Sequence, residues 1–362
     1  MTSPDAPAHA SNGNGSADTR RPLRIGFVGT GYIAGVVAAA LRETERVQLA
    51  AVASRTLASA QAFALAHARP VPPRPFGDWR SMLAWDGIDA VYLASPTTTR
   101  TEIAIAAAAH GKHVLVEKPF PSTAALAAIT DACRTHGVAF LDATHFVHHP
   151  RHLLLRRTLH QRIGTLLAVN ATFTFPSMDR TNIRHDERLE PMGAWGDMGW
   201  YAMRALVEFT PDESSLAHAA AMARRDSASG AVVRSDGVLR LSDGCTATWD
   251  VAFDIGTCVM DLHLMGTEGR VRLDDFVLDW RGGYGAPLPD HTAEFTTQRG
   301  PVNPSGFEVT RVPTERRQLV QLLENFEAMA RDPHAESCTA AMRAAQRTQA
   351  LIDDVWARQV DG

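Results

Sequence analysis

The feature that most constrains the fold is an alternation of short apolar runs and Ala-rich segments over residues 23–142. Each run is four to seven residues long and apolar at successive positions, which indicates a strand covered on both faces. The predicted strands are Arg24–Val28, Val47–Ala53, Ala90–Ala94, Val114–Glu117 and Val138–Asp142, and the predicted helices are Ile33–Arg42, Leu57–His67, Thr101–His110 and Thr123–His136. The alternation therefore predicts βαβ units in an α/β domain with a doubly wound parallel sheet.

The pattern changes after about residue 150, where strand candidates follow one another without helices between them. These candidates are Leu166–Phe175, Val232–Leu241, Thr246–Phe253, Val259–Met265 and Gly269–Leu273. Helices are predicted at His152–His160, Ala194–Phe209, Arg316–Ala330 and Thr339–Arg358. Consecutive strands without crossover helices favour a largely antiparallel sheet. We predict a disordered tail at 1–22, the α/β domain at 23–145, and an α+β domain with an open sheet at 146–362, whose last helices pack back.

Composition excludes several classes of protein. The chain has 36 Lys and Arg against 40 Asp and Glu, a net charge of −4, so we expect neither a nucleic acid nor a membrane as partner. No apolar run approaches the ~20 residues that span a bilayer, and residues 1–20 lack the apolar centre of a secretory signal. The four cysteines are scattered without CxxC spacing, which predicts reduced thiols in a cytoplasmic protein.

A glycine-rich turn follows the first predicted strand. The sequence from Gly29 to Ala34 reads GxGxxA and leads from the strand into a helix. Gly29 suits the tight turn, Gly31 allows the backbone to approach a pyrophosphate, and Ala34 lets the helix lie close to the sheet. Free N–H groups at such a helix start bind anions. This context predicts an NAD(P)-binding Rossmann domain whose cofactor is contacted by Gly29, Thr30, Gly31, Tyr32 and Ile33.

The end of the second predicted strand bears on the choice of dinucleotide. An acidic residue there would bind the ribose hydroxyls of NAD, but this chain has Ser54 and Arg55. A hydroxyl and a guanidinium suit a 2′-phosphate, so these residues favour NADP. The alternative is that Arg55 stacks on the adenine and accepts either NADP or NAD.

Three motifs occur in an order that resembles the glucose-fructose oxidoreductase/inositol dehydrogenase (Gfo/Idh/MocA) family. A GKHV lead-in and strand end in Glu117-Lys118-Pro119, which resembles the family's most specific string. Upstream, Ser95-Pro96-Thr97 is similar to the family's turn after the fourth strand. Downstream, residues 196–201 read GDMGWY, which resembles the DiGxY signature, and a GTEG turn follows at 266–269.

This resemblance implies a dinucleotide domain, a C-terminal open-faced sheet often used for oligomerisation into dimers or tetramers, and hydride transfer between NAD(P) and a sugar, polyol or related hydroxyl carbon. Lys118 matches the family's catalytic lysine, while Asp197 and Tyr201 match the residues that complete its site. The resemblance also places Ser95, Pro96, Thr97, Glu117 and Lys118 beside the cofactor. One departure is Arg100, which stands where the family often has His and leaves the contacts of that loop open.

The matched residues suit proton transfer. Asp197 and Tyr201 are four residues apart in a predicted helix, so their side chains share a face and can meet one substrate. We assign Tyr201 as proton donor or acceptor because a nearby Lys118 ammonium would lower the phenol pKa from about 10. Lys118 would also orient the substrate oxygen, and Asp197 would bind an adjacent hydroxyl. The sequence leaves open whether Lys118 itself carries the proton.

Two further segments offer candidate substrate contacts. Residues 145–152 contain histidines at i, i+4 spacing, but no glutamate of an HExxH pattern accompanies them and Pro150 interrupts a helix there, so we predict no metal site. We predict instead that His149 lines the substrate pocket and that its neighbouring histidines lie at the surface. In the polar loop before the Asp197 helix, Asn182 and Arg184 are candidates to bind hydroxyls or an anionic group. The alternative is a solvated loop.

Three functions remain to be compared. The first is an NADP-dependent oxidoreductase acting on a hydroxyl or keto carbon of a sugar, sugar derivative or cyclic diol. The second is a hydrolase or lyase of the same fold that uses bound NAD(P) without net redox change. The third is a non-enzymatic dinucleotide sensor, which would not need Lys118, Asp197 and Tyr201 together. We favour the first, with a polyhydroxy or cyclic alcohol or ketone as substrate.

Overall fold

The computed structural model describes residues 21–177, 179–278, 291–301 and 307–361. Residues 1–20, which make up nearly all of the predicted tail, lie outside the described residues. Within the described ranges, no helix combines the length and the apolar character that crossing a bilayer requires.

The first sheet has six strands, all parallel, in the order β3-β2-β1-β4-β5-β6. They are β1 Leu23–Val28, β2 Val47–Ala53, β3 Arg74–Phe76, β4 Ala90–Leu93, β5 His113–Val116 and β6 Phe140–Asp142. The helices between them are α1 Tyr32–Ala40, α2 Leu57–Ala66, α3 Trp79–Leu83, α4 Arg100–Ala109 and α5 Thr123–Thr135. The predicted Rossmann fold is confirmed, and its strand order reverses between β1 and β4, where such sheets bind ligands.

Short polar side chains begin several of these helices. Thr56, Asp78 and Ser122 each accept a hydrogen bond from the backbone N–H three residues later, at the first turns of α2, α3 and α5. Such caps satisfy N–H groups that the helix itself leaves unpaired. By contrast, the residue before α1 is Gly31, which has no side chain to cap the helix. The start of α1 therefore faces the glycine-rich turn without a capping side chain at that position.

Within the described residues the second sheet has nine strands, in the order β14-β13-β12-β11-β7-β10-β9-β8-β15. They are β7 Leu166–Thr174, β8 Leu216–Arg225, β9 Val232–Leu241, β10 Thr246–Ala252, β11 Val259–Gly266, β12 Gly269–Leu273, β13 Glu294–Arg299, β14 Glu308–Arg311 and β15 Gln359–Asp361. Only the β7–β10 and β8–β15 pairs are parallel among these described strands. The predicted, largely antiparallel sheet is confirmed.

The remaining helices connect the two sheets. They are α6 Pro150–Ile163, α7 Trp200–Phe209, α8 Gln318–Arg331 and α9 Glu336–Trp356. Apolar side chains of α8, including Leu323 and Phe326, share a core with Ile25 and Val37 of the first unit. Helix α9 packs against β6 and α5 on one side and α7 on the other. The residues that end β5 and the residues that begin α7 are thereby held against each other.

Candidate active site

The glycine-rich turn connects β1 to α1 at the carboxyl edge of the first sheet. Gly29 has a φ of +109°, and a Cβ there would lie 2.7 Å from the carbonyl oxygen of Ala94. Only glycine therefore fits this turn. A Cβ on Gly31 would meet no atom within 4 Å, so the space above the start of α1 is open. The start of α1 and this open space form a cradle that fits an anionic phosphate group.

The end of β2 lies beside this turn. The Ser54 and Thr30 hydroxyl oxygens are 3.4 Å apart, which connects the second strand directly to the glycine-rich segment. Arg55 follows and is exposed, while Thr56 begins α2. The guanidinium can therefore reach a ligand that extends from the turn along the edge of the sheet.

Lys118 lies just beyond β5 and is only 7% exposed. Its Nζ donates hydrogen bonds to the Asp197 carbonyl oxygen at 2.7 Å and to Asp197 Oδ1 at 2.5 Å. Asp197 lies in a π-helical turn, Trp195–Gly199, that precedes α7. A Cβ on Gly196 would lie 3.1 Å from Pro119 Cγ, so glycine lets the two segments approach closely. The predicted pairing of the Glu-Lys-Pro string with the GDMGWY segment is therefore present as a direct ion pair.

Arg184 completes the ion cluster. Its Nε donates to the second oxygen of Asp197, Oδ2, at 2.7 Å. Burial by itself raises the pKa of Asp197, but the Lys118 ammonium and the Arg184 guanidinium outweigh burial and hold that pKa well below its usual range. The carboxylate is consequently ionised at neutral pH. Asn182 contributes indirectly, since its side-chain oxygen accepts a hydrogen bond from the backbone N–H of Arg184 at 3.1 Å.

Tyr201 joins the cluster through its ring. Lys118 Nζ lies 4.6 Å from the ring centroid, a cation–π contact, and Tyr201 is 5% exposed. The phenol oxygen lies 3.1 Å from His145 Nε2. Lys118, Asp197 and Tyr201 are thus brought together, with the tyrosine hydroxyl held by a histidine for which the sequence analysis predicted a surface position.

The turn after β4 is connected to the second domain by charged side chains. Glu190 accepts hydrogen bonds from the Thr97 backbone N–H at 3.0 Å and from the Thr97 hydroxyl at 2.6 Å. Arg100 is buried and donates to Ser95 O, Thr97 Oγ1 and Pro119 O. Arg100 therefore holds the loop after β4 in place. The contacts of this loop had been left open by the sequence, because the family often has His at this position. The sequence analysis did not identify Glu190.

Glu117 is buried beneath the site. Its carboxylate accepts a hydrogen bond of 2.6 Å from the Tyr92 hydroxyl. Burial raises the pKa of this carboxyl group, against the opposing influence of the Lys118 charge. The contacts of Glu117 hold the end of β5 against β4 and thereby support the backbone from which Lys118 extends.

The histidine segment differs from its predicted arrangement. His145 and His152 are buried, so the expected surface position is wrong for both. His149 is also buried, and its Nδ1 accepts a hydrogen bond from the Arg151 N–H, which caps α6 with Pro150 in the first turn. It lines a small internal cavity with Phe146 and other apolar side chains. Among the described residues, no group of three His, Cys, Asp or Glu side chains is arranged to hold a metal ion.

Two family models and several curated relatives match this chain. Residues 23–143 match the model of an oxidoreductase family with an NAD-binding Rossmann fold, and residues 153–272 match the GFO/IDH/MocA C-terminal domain. D-xylose 1-dehydrogenase (NADP(+)) 2 of Haloferax volcanii is 33% identical over 69% of this chain and 75% of its own. A dTDP-3,4-didehydro-2,6-dideoxy-alpha-D-glucose 3-reductase of Streptomyces antibioticus is 33% identical over 70% of this chain and 75% of its own.

Solved structures share the fold over nearly the whole chain. The 3-ketoreductase KijD10 of Actinomadura kijaniata, in complex with NADP and TDP-benzene, aligns with a TM-score of 0.82 at 23% identity, covering 94% of this chain and 98% of its own. The aldose-aldose oxidoreductase of Caulobacter crescentus aligns with a TM-score of 0.79 at 18% identity, covering 93% and 97%. Both domain models and the curated relatives agree with the three sequence motifs, and this chain belongs to the GFO/IDH/MocA family of oxidoreductases.

Proposed function

We propose that this protein is an NADP-dependent oxidoreductase that acts on a hydroxyl or keto carbon of a sugar, a sugar derivative or a cyclic diol. The observation that carries the proposal is the buried meeting of Lys118, Asp197 and Tyr201 at the sheet edge that also bears the glycine-rich turn. The curated relatives support the substrate class, because they are named as a xylose dehydrogenase, sugar 3-reductases and a scyllo-inositol dehydrogenase.

Several residues would hold the dinucleotide. The open space at Gly31 and the start of α1 suit its pyrophosphate, with Thr30, Tyr32 and Ile33 alongside, while Ser54 and Arg55 suit a 2′-phosphate. Ser95 and Pro96 follow β4 and border the same edge of the first sheet. Thr97 lies there too, and its backbone N–H and its hydroxyl both donate to Glu190. When bound, the nicotinamide supplies or accepts the hydride. The proton is donated or accepted by side chains of the protein.

Lys118, Tyr201 and Asp197 have different roles in this proton transfer. An ammonium group has three N–H bonds, and two of those on Lys118 donate to Asp197, so a third can orient a substrate oxygen. Tyr201 donates a proton to that oxygen in reduction and accepts it in oxidation. The Lys118 charge over the ring stabilises the phenolate that forms. Asp197 and Arg184 offer an acceptor and a donor for a neighbouring hydroxyl.

The test is a panel of sugars, polyols and cyclic diols, assayed in both directions with NADP and with NAD. We expect at least one polyhydroxy compound to change the absorbance of the reduced nicotinamide with turnover, and to do so faster with NADP. A compound that is consumed without any change in this absorbance would instead indicate the redox-neutral hydrolase or lyase. An absence of turnover with the entire panel counts against the proposed substrate class.

A substitution at the glycine-rich turn tests the cofactor site separately. Gly31→Ala is expected to weaken NADP binding by about tenfold, because the added methyl group occupies the space above α1. Stability should fall by no more than about 1 kcal/mol, since φ at Gly31 is −76° and a Cβ there meets no protein atom. Isothermal titration with NADP and thermal unfolding measure the two effects.

Gly29→Ala is the matched control for this experiment. Its positive φ and the carbonyl of Ala94 predict destabilisation by about 2 kcal/mol even without ligand. If Gly31→Ala bound NADP as tightly as the unsubstituted protein, the assigned pyrophosphate cradle would be wrong.

We also propose a homo-oligomer, a dimer or a tetramer, formed through the open face of the second sheet. Met222, Val238 and Val360 are exposed there on the neighbouring strands β8, β9 and β15. Val360 lies opposite Met222, and Val238 lies opposite Ala220, two residues before Met222, so the three side chains share one face. Sedimentation velocity measures the oligomeric state directly. A protein that is monomeric at micromolar concentration would contradict the proposed oligomer.

A reducing compartment, the cytoplasm, is proposed from the cysteines. All four are free thiols, three of them are buried, and burial raises the pKa of Cys133 to about 12. Localisation by fractionation of the source cells tests this assignment.

A further inference from the structure

His145 follows the last strand of the first sheet and lies against the phenol of Tyr201. Its Nε2 is 3.1 Å from the Tyr201 oxygen, and the two ring centroids are 5.6 Å apart. Both side chains are buried, with His145 2% exposed. The phenol oxygen therefore has a nitrogen partner in a place that water scarcely reaches.

Adjacent contacts fix the position of His145. The Thr144 hydroxyl accepts a hydrogen bond of 2.7 Å from Trp200 Nε1 and is bonded to the Asp142 carboxylate. Arg204 Nη1 donates to both oxygens of Asp142 at 3.1 Å. The segment after β6 and the first turn of α7 are thus joined by three successive pairs, 142 with 204, 144 with 200, and 145 with 201. These pairs hold the two backbone segments that carry His145 and Tyr201 against each other.

We propose that His145 is a positioning residue that donates its Nε2–H to the Tyr201 oxygen, so that the phenol proton points toward the substrate. This inference rests on the proposed function, in which Tyr201 exchanges a proton with the substrate oxygen. A phenol oxygen that accepts a hydrogen bond from His145 keeps its own proton for another acceptor. When Tyr201 gives up that proton, the same bond becomes charge-assisted and stabilises the phenolate.

Lys118 and His145 would act on different parts of the same group. The Lys118 ammonium lies over the ring face, whereas His145 contacts the oxygen itself. Aromatic contacts with Phe146 and Phe173 hold the ring from two further sides. The Lys118 ammonium stabilises the phenolate by its charge, and the His145 imidazole orients the phenol proton. Loss of His145 should consequently affect proton transfer more than substrate binding.

The charged surroundings stay the same when only His145 is changed. On the ring side these groups are Lys118 with its partners Asp197 and Arg184. On the side of the strand end, the charged or titratable groups are Asp142, Arg204, Glu208, His148 and His152. A difference between the protein and its His145 variants therefore does not come from a change in a neighbouring charge.

The experiment uses the full-length protein and the variants His145→Gln and His145→Leu. Gln can place an amide N–H near the position of Nε2, whereas Leu keeps bulk without a donor. The first readout is the tyrosinate absorbance during alkaline titration without substrate. The chain has four tyrosines, so the Tyr201 transition is isolated by subtracting the titration of Tyr201→Phe. We expect this transition to move up by about one pH unit or more in His145→Leu and to return toward its original position in His145→Gln.

The second readout is the pH dependence of kcat for alcohol oxidation, with a substrate identified by the panel. Oxidation requires the ionised phenol, so the rate rises with pH, and in His145→Leu the rise should occur at higher pH. At neutral pH kcat should fall by about tenfold or more, with KM nearly unchanged and partial rescue by Gln. A purely structural role would lower stability without moving the pH profile.

Each outcome separates this inference from the function on which it rests. A His145→Leu variant with an unchanged tyrosinate titration and an unchanged kcat profile overturns the role of His145 and leaves the proposed function standing. Full turnover in Tyr201→Phe rejects the proposed role of Tyr201 itself. Circular dichroism checks the folding of each variant. If His145→Leu does not fold, His145→Asn replaces it, because its shorter amide cannot reach the Nε2 position.

Discussion

Tyr201→Phe is expected to lower kcat by about 10²- to 10⁴-fold, the range in which a positioned acid or base contributes. The substitution removes one oxygen and keeps the ring that packs against Phe146 and Phe173 and lies beneath Lys118. The pocket therefore keeps its shape, while the substrate oxygen loses its proton donor. Steady-state kinetics with the substrate found in the panel measure kcat separately from KM.

Nucleotide binding is the control for this loss. NADP affinity, measured by titration, should change by less than about twofold, because the Tyr201 hydroxyl bonds His145 in the segment after β6. Lys118→Met should also lower turnover, but it leaves the partly buried Asp197 carboxylate with Arg184 as its remaining ion-pair partner and so lowers stability as well. Tyr201→Phe is consequently the sharper experiment. Wild-type kcat in this variant would remove the tyrosine from the mechanism.

The parts of the site that sequence could predict are those encoded by neighbouring residues. The GxGxxA turn and the Glu-Lys-Pro string each follow a buried parallel strand, so both had to reach the carboxyl edge of one sheet. The meeting of Lys118 with Asp197 and Tyr201 came from the family resemblance, since no local pattern connects residues so far apart in the chain. The π-helical turn before α7 was not predicted, and the predicted α-helix at Ala194 begins instead with this wider turn.

His145 shows what a local pattern can conceal. The i, i+4 spacing of this segment suggested a metal site, and without one the histidines beside His149 were predicted to lie at the surface. His145 nevertheless comes three residues after β6, the strand beside β5, and β5 precedes Lys118. The carboxyl ends of adjacent parallel strands meet, so this position was a signal for the site. Glu190 offered no such signal, because its contact with Thr97 depends on how the two domains pack.

Strands β13 and β14 were not predicted from the sequence. β13 and β14 carry Glu, Thr, Gln and Arg at many positions, and β14 lies at the edge of the second sheet with most of its residues exposed. Their alternation is short and weak compared with that of the central strands. The edge strand β14 obtains its stability from pairing with β13, and β13 pairs in turn with β12, which composition alone does not reveal.

Arg55→Asp is expected to shift the cofactor preference from NADP toward NAD by about 10²-fold or more in the ratio of kcat/KM values. The guanidinium would lose a charge-assisted contact with a 2′-phosphate, and a carboxylate would repel that phosphate while accepting hydrogen bonds from ribose hydroxyls. Arg55 is exposed and begins no helix, since Thr56 caps α2, so the fold should be unaffected. Kinetics with each dinucleotide at saturating substrate measure the ratio.

Two controls separate charge recognition from other effects of the substitution. Arg55→Gln removes the charge without adding repulsion and should lie between the unsubstituted protein and Arg55→Asp. Arg134→Asp makes the same change of charge on the exposed surface of α5 and should leave the ratio unchanged. If Arg55 only stacks on adenine, both substitutions at 55 would weaken NADP and NAD equally and the ratio would stay constant. The glycine-rich turn would then hold the dinucleotide, with discrimination between the two cofactors located at residues other than Arg55.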